Sequence, residues 1–150
     1  MTPPFPLALR RRSKERDLEL LLDVPSDLGL VGPAVELIVG SFPPRPLSPR
    51  RISFNLRTAL AEALCNAIAY GNHHDRTKLV HVRVLVARAY TELHISDDGD
   101  GFDPTIVPDP TLPENRERED GRGLFVLRHL VDQVSFNAKG NSICLTLRAG

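Results

Sequence analysis

The chain has 150 residues, 41% hydrophobic and 25% charged, and its 19 acidic and 19 basic residues cancel to no formal net charge. That length suits one domain with a sizeable core, and the balanced charge gives no sign of a nucleic-acid partner. No apolar run approaches the roughly 20 residues of a membrane-spanning helix, which excludes that class. The two cysteines, Cys65 and Cys144, lie inside apolar helix and strand patterns, so a disulfide framework is not expected. The N-terminus lacks the apolar stretch of a signal peptide, and the expected location is cytoplasmic.

Residues 1–16 are rich in proline and arginine and read as a flexible basic arm; residues 17–150 read as the domain. Asp17–Val24 reads as a strand. Ser26 or Asp27 can cap a helix with Leu30, Val31, Ala34, Val35, Leu37 and Ile38 as its stripe, Pro33 falling in the first turn. Phe42–Pro49 holds four prolines and reads as a stiff connection. Ser53 or Asn55 opens a second helix running to Tyr70, with Gly71 as the residue that stops it.

Lys78–Arg88 alternates valines with polar and larger residues, and Thr91–Asp97 is a second strand, with a short turn at Ala89-Tyr90. Leu93, Ile95 and Asp97 share a parity, so Asp97 is expected to point towards the layer that holds the helices. Asp103–Asp120 has no helical or strand period and reads as a functional lid. Gly123–Asp132 reads as a helix; Val134–Ala138 and Ser142–Leu147 read as strands joined at Lys139-Gly140-Asn141. This order implies an α+β two-layer sandwich, with helices on one face of a mixed, mostly antiparallel sheet.

Three segments carry chemistry. In the run Ala59–Tyr70 every side chain is apolar, small or aromatic except Glu62 and Asn66, one turn apart on a single face. A helix so apolar is expected to be buried, and a buried carboxylate and amide need partners, most simply a metal ion or water. Asp97 ends a strand and is followed by Gly99 and Gly101, which let the backbone approach a flat ligand. A carboxylate there can accept from an exocyclic amine. Gly121-Arg122-Gly123 opens a helix, where free N–H groups and the dipole favour phosphate. Together these suit an adenine nucleotide, ATP, with Mg²⁺ held by a protein oxygen such as that of Asn66.

Glu62-x-x-x-Asn66 with Ala67, Gly71 and Asn72, then Asp97-x-Gly99-x-Gly101, then Gly121-x-Gly123-Leu124 resemble the N, G1 and G2 boxes of the GHKL ATPase superfamily. That superfamily comprises gyrase, the Hsp-type chaperone, histidine kinases and mismatch-repair ATPases. The small size and box spacing are similar to its stand-alone anti-sigma-factor serine kinases, over about Asp17 to Arg148. The resemblance implies the Bergerat-type fold, with Glu62 as general base or water-orienting residue and Asn66 as the Mg²⁺ ligand. It implies Asp97 on the adenine amine, Gly99 and Gly101 shaping the pocket, and Gly121, Gly123 and Leu124 at the phosphate end. A lid arginine near the γ-phosphate falls to Arg118, with Arg116 and Arg122 as rivals. Where the superfamily shows Gly-Thr near the last strand this chain has Gly140-Asn141-Ser142, and Ser142 or Asn141 takes over the hydroxyl's hydrogen bond. Implied partners are a sigma factor and an anti-anti-sigma protein with a phosphoacceptor serine, the chain acting as a homodimer.

Other readings of the same residues are blander. Asp97–Asp103 resembles a Ca²⁺ loop, but its carboxylates miss the EF-hand positions and no closing glutamate follows. His73-His74-Asp75 has no further ligand cluster beside it and reads as a polar loop. Gly121-Arg122-Gly123 follows no strand, so it is neither a P-loop nor a dinucleotide fingerprint. Two functional alternatives remain beside the kinase: a nucleotide-sensing module that grips a partner without phosphorylating it, and the ATP-binding part of a histidine kinase. Only about 50 residues precede the Glu62 helix, with no helical phosphoacceptor pattern among them, which counts against the last.

Overall fold

The computed structural model describes residues 7–14, 17–99 and 119–149. Six strands form one sheet: β1 (Arg10–Lys14), β2 (Asp17–Pro25), β3 (Leu79–Val86), β4 (Tyr90–Ser96), β5 (Gln133–Phe136) and β6 (Ser142–Arg148). Their order is β1-β2-β3-β4-β6-β5, and every pairing among the described residues is antiparallel, in keeping with the mostly antiparallel sheet expected from the sequence. The helices are α1 (Val31–Gly40), α2 (Arg57–Asn66) and α3 (Glu119–Leu130). A 3-10 turn, Leu28–Leu30, leads into α1. Wider π-helical turns, Arg51–Leu56 and Ala67–Gly71, extend α2 at both ends. No helix among the described residues is long and apolar enough to cross a membrane.

Strand alternation sorts the sheet into two unlike faces. Leu20, Leu22 and Val24 of β2, Val80, Val82 and Val84 of β3, Leu93 and Ile95 of β4, and Leu145 and Leu147 of β6 are buried against the helices. The helices answer with Ala34, Val35 and Ile38 of α1, Leu60 and Leu64 of α2, and Leu127 of α3. Truncating a fully buried leucine such as Leu64 to alanine costs about 2–5 kcal/mol in such a core. Leu37 is on the outer side of α1, off the stripe expected for it, and Pro33 occupies the first turn, where its missing N–H costs nothing. Among the described residues no helix packs on the other face of the sheet, which carries Glu19, Arg83, His94 and Cys144 along with Leu21 and Leu85.

The segment read as a flexible arm is in part an edge strand. Arg10–Lys14 pairs antiparallel with β2, placing Arg12 opposite Glu19. Glu19 also accepts from Arg83 Nε at 2.7 Å, and that bond holds its carboxyl below the usual range. A strand of charges gains no core burial, but it covers the edge of β2 and presents an edge that repels further strands. The β3–β4 turn is Arg88-Ala89 rather than Ala89-Tyr90: Ala87 N–H donates to Tyr90 O, and Tyr90 already belongs to β4.

Helix packing is pinned at the far end of the sheet. Arg51, ahead of α2, donates to Asp132 at 3.0 Å, and Asp132 accepts from Arg148 N–H at 2.7 Å. Asn55 Nδ2 donates to Leu130 O at 2.8 Å, satisfying a carbonyl at the end of α3. Arg57 of α2 pairs with Glu36 of α1. These ties hold α2 and α3 side by side, with α2 against β4 and α3 against β5.

Candidate nucleotide site

Asp97 follows β4 in the parity of Thr91, Leu93 and Ile95, all buried on the helix side, so its carboxylate reaches the helix layer as the alternation requires. Its main chain is tied to the β5–β6 turn: Asp97 N–H donates to Asn141 O at 2.9 Å, and Asn141 Nδ2 donates to Asp97 O at 3.4 Å. The carboxylate accepts from Gly99 N–H at 2.8 Å. Burial pushes its pKa up; the Gly99 N–H draws it down, the Asp98 charge raises it, and His73 and Lys139 lower it. A half-buried carboxylate with lone pairs to spare is suited to a neutral N–H donor such as an exocyclic amine.

Two glycines make room for it. A Cβ on Gly71 would fall on the Asp97 carboxylate and lie 2.9 Å from Asp97 Cβ. A Cβ on Gly99 would strike the Gly71 carbonyl and lie 2.9 Å from Asp97 Oδ1. The helix run ending at Gly71 therefore butts directly onto Asp97. The helical run ends at Gly71, as the sequence suggested, but Gly71 is not left-handed. The left-handed residues are His73 (φ 51) and His74 (φ 58), and His74 N–H closes the helix end on Ile68 O at 2.8 Å. Gly71 is glycine because an aspartate side chain occupies the place of its Cβ.

Asn72 fastens this corner. It is fully buried and makes three side-chain hydrogen bonds: Nδ2 donates to Ser26 Oγ and to Leu79 O, each at 3.0 Å, and Oδ1 accepts from Asp98 N–H at 2.8 Å. Ser26 Oγ in turn donates to Lys78 O at 2.7 Å. Asp98 takes Leu79 N–H at 3.0 Å. Through Asn72 the helix end, the start of β3 and the Asp97–Gly99 turn are hydrogen-bonded to one another. The motif contains Asn72, but no role for it was legible there; the signal was a polar residue directly after a buried helix.

Glu62 and Asn66 sit one turn apart on α2, flanking its buried stripe of Ala59, Leu60, Ala63, Leu64, Ala67 and Ile68. They are half-buried rather than fully buried as the sequence suggested, because the apolar run is wide enough to cover the core without them. Among the described residues neither side chain has a hydrogen-bond partner. A half-buried amide oxygen and carboxylate left open on one flank fit a Mg²⁺ ion, which takes one or two protein oxygens and keeps waters and phosphates.

α3 packs beside α2 and begins at Glu119, so Gly121, Gly123 and Leu124 lie within its first two turns rather than ahead of it. The end of the stretch read as a lid, Glu119 and Asp120, is likewise helical. Gly101 and Arg118, and the rival Arg116, lie outside the described residues. Ser142 is not brought to the site. It stands opposite Ser96 on the helix-free face and accepts from Ser96 Oγ at 2.8 Å. The residue beside Asp97 is Asn141, one position earlier, because strand parity turns Ser142 outwards.

An antiparallel sheet with helices on one face, a strand-end Asp-x-Gly against a helix carrying Glu and Asn, and a Gly-rich helix start define a nucleotide-binding fold of the GHKL kind. The chain matches the histidine kinase-like ATPase domain over residues 24–147 and belongs to that family. Among curated relatives it is 28% identical over 99 residues to the serine/threonine-protein kinase BtrW of Bordetella bronchiseptica, covering 65% of this chain and 70% of that one. It is 28% identical over 89 residues to the serine-protein kinase RsbW of Oceanobacillus iheyensis, covering 55% and 56% of the two chains. It is 30% identical over 97 residues to an anti-sigma F factor of Bacillus cereus, covering 61% and 66%. The match to the second of these spans little more than half of the relative's length.

Proposed function

We propose that this protein binds ATP with Mg²⁺ and transfers the γ-phosphoryl group to a serine of an anti-anti-sigma partner, and that it sequesters a sigma factor as a homodimer. The observation that carries this reading is the half-buried Asp97 carboxylate, seated between Gly71 and Gly99 at the end of the helix that bears Glu62 and Asn66. The relatives named as serine kinases and anti-sigma factors support it.

In this reading Asp97 accepts the adenine amino group, and the glycines let the ring lie against the backbone. The N-terminal part of α3, with Gly121 and Gly123, lies towards the phosphates, with Leu124 beside them and Arg118 and Gly101 completing the phosphate and ring ends. Asn66 would hold the Mg²⁺, which when bound neutralises charge on the phosphates. Glu62 takes the proton of the attacking serine hydroxyl as its oxygen bonds to the γ-phosphorus. The bond from that phosphorus to the β-phosphate bridging oxygen breaks, and ADP leaves. Catalysis of this kind rests on positioning and electrostatics more than on covalent steps.

A second reading has its own observation. Ser142, the only hydroxyl at the expected Gly-Thr place, faces away from Asp97, which favours a module that binds nucleotide and partner without transfer. The test uses a partner captured from native cytoplasm with the ATP-loaded protein, then incubated with γ-labelled ATP. Label should appear on a partner serine. Glu62→Ala should lower that rate by about 10²–10⁴-fold with nucleotide affinity kept, the range of a lost general base. Tight partner capture with no label, in wild type and variant alike, selects the binding module instead.

A further inference from the structure

The helix-free face of the sheet holds a cluster that nucleotide chemistry does not use. Glu92 and His94 are two apart on β4 and so share that face; Cys144 stands directly opposite His94 on β6. His94 Nε2 lies 3.0 Å from Glu92 Oε2 and 3.7 Å from Cys144 Sγ. One donor atom from each of the three falls within 4.8 Å of the others. All three side chains are half-buried.

We propose that Glu92, His94 and Cys144 form a binding site for a thiophilic divalent transition metal ion, of which Zn²⁺ is the natural occupant. A carboxylate oxygen, an imidazole nitrogen and a thiolate are a zinc donor set, whereas Mg²⁺ and Ca²⁺ take oxygens alone. The spacing fits. Tetrahedral zinc at its usual bond lengths sets nitrogen and sulfur ligands about 3.6 Å apart, and nitrogen and oxygen ligands about 3.4 Å apart. The separations from Nε2, 3.0 Å to Glu92 Oε2 and 3.7 Å to Cys144 Sγ, lie close to those values, so the ion takes the place of the Nε2 proton with a small adjustment of the side chains.

The frame is rigid. β4 lies between β3 and β6, and β6 between β4 and β5, so both strands are bonded along both edges. The thiolate and carboxylate together balance the ion's two charges, with the imidazole neutral. Arg83 is the residue opposite His94 on β3, but its guanidinium is engaged by Glu19 at 2.7 Å. Burial, with the Glu92 charge next, raises the Cys144 thiol pKa, so binding releases a proton and strengthens as pH rises. Three protein ligands on an exposed face leave a fourth position for water or a group from another molecule. The site is on the opposite side of the sheet from Asp97 and stands whether or not the chain is a kinase.

The test titrates the reduced, metal-free full chain with Co²⁺, then displaces it with Zn²⁺. A one-to-one complex with a thiolate-to-cobalt charge-transfer band, bleached by zinc, is expected. Cys144→Ser should remove the band, and His94→Gln and Glu92→Gln should each weaken zinc by about tenfold or more in competition with a chromophoric chelator. Cys65→Ser, on α2 across the sheet, should change neither. Zinc should also raise the melting temperature of the wild type and of Cys65→Ser, and raise that of Glu92→Gln, a near-isosteric change that keeps the fold, by less at the same zinc concentration. The proposal is overturned if no band forms at one equivalent, if the band survives Cys144→Ser, or if it is lost in Cys65→Ser. It is equally overturned if zinc affinity is unchanged in both His94→Gln and Glu92→Gln.

Discussion

The two faces of β4 differ in everything except the strand they share. Thr91, Leu93, Ile95 and Asp97 point to the helices: three are buried and the fourth is a carboxylate held in a half-dry pocket. Glu92, His94, Ser96 and Asp98 point the other way: Glu92 and His94 bond to each other, and His94, Ser96 and Asp98 bond to ionisable and hydroxyl groups on β3 and β6. A shift of one residue exchanges an apolar floor for a polar surface. The lesson is that neighbouring residues in a motif need not serve one site. Asp97 and Asp98 are adjacent in sequence, yet one lies against the glycines of the nucleotide corner and the other anchors the turn from outside.

The largest expected effect tests whether the helix-side face alone binds nucleotide. ATP with Mg²⁺ at about a hundredfold its Kd should stabilise the wild type by about 2.7 kcal/mol, read as a rise in melting temperature. GTP, which offers a carbonyl where adenine has an amine, should give no such rise. Asp97→Asn keeps the shape but puts a donor towards the amine, and the ATP shift should vanish. Gly71→Ala should lose it too. Alanine is intrinsically better than glycine in a helix by about 1 kcal/mol, but here its Cβ displaces the Asp97 side chain. Ser142→Ala, on the other face, should leave the shift intact. Loss of the shift in Ser142→Ala, or its retention in Asp97→Asn, would break the division between the faces.

The next effect concerns the tie between helix end and turn. Asn72→Ala removes three hydrogen bonds in a fully buried place and takes away the acceptor of the Asp98 N–H and the Asn72 donor to Leu79 O, while Ser26 Oγ keeps its bond to Lys78 O. A loss of about 1–3 kcal/mol in chemical denaturation is expected. Because Asn72 reaches the site only through Asp98 and Gly71, ATP affinity should fall along with stability. An Asn72→Ala protein that is as stable as the wild type would show that the corner is held by other means.

Much of this was legible in the sequence, for reasons that can be named. The valines at 80, 82, 84 and 86 and the parity of Leu93, Ile95 and Asp97 follow from a period of two, which burial on one face enforces. The Glu62/Asn66 face followed from helical spacing. Strand order did not follow, because β6 inserts between β4 and β5, and no local pattern reports which strands pair. Arg10–Lys14 has no apolar alternation, so its place beside β2 is dictated by an available edge rather than by its own residues. Gly71 was legible as the end of the helix but not as the place cleared for Asp97, because a helix-ending glycine and a glycine cleared for a distant side chain look the same in one dimension. Ser142 was assigned by proximity to Gly140, while its direction depends on the register with Ser96.

The smallest effect lies on the helix-free side. His81 Nδ1 is 2.8 Å from Asp23 Oδ1 and Nε2 is 3.1 Å from Asp98 Oδ1, so the ring bridges two carboxylates. The Asp23 hydrogen bond chiefly, with help from Asp98, raises the His81 pKa against a desolvation that lowers it. Asp98 is lowered, mainly by the Leu79 N–H and then by His81. The signs set a window. A histidine raised in the folded state contributes stability in full below its unfolded pKa of about 6.5, and loses it as pH rises through the folded value. A lowered aspartate contributes above its unfolded pKa of about 3.9 and loses it as pH falls through the folded value. The bridge should therefore stabilise most between about pH 4 and 6.5. All three side chains are close to half exposed, so solvent screening keeps the contribution to about 0.5 kcal/mol or less. Urea denaturation of wild type and His81→Gln across pH should show a gap that is widest near pH 5.5, by about that amount, closes towards pH 9, and shrinks in high salt. A gap of equal size at both ends would mean that His81 acts through packing rather than charge. The Asp98 turn, and with it the back of the nucleotide corner, would then be held by Asn72 and the Leu79 N–H alone.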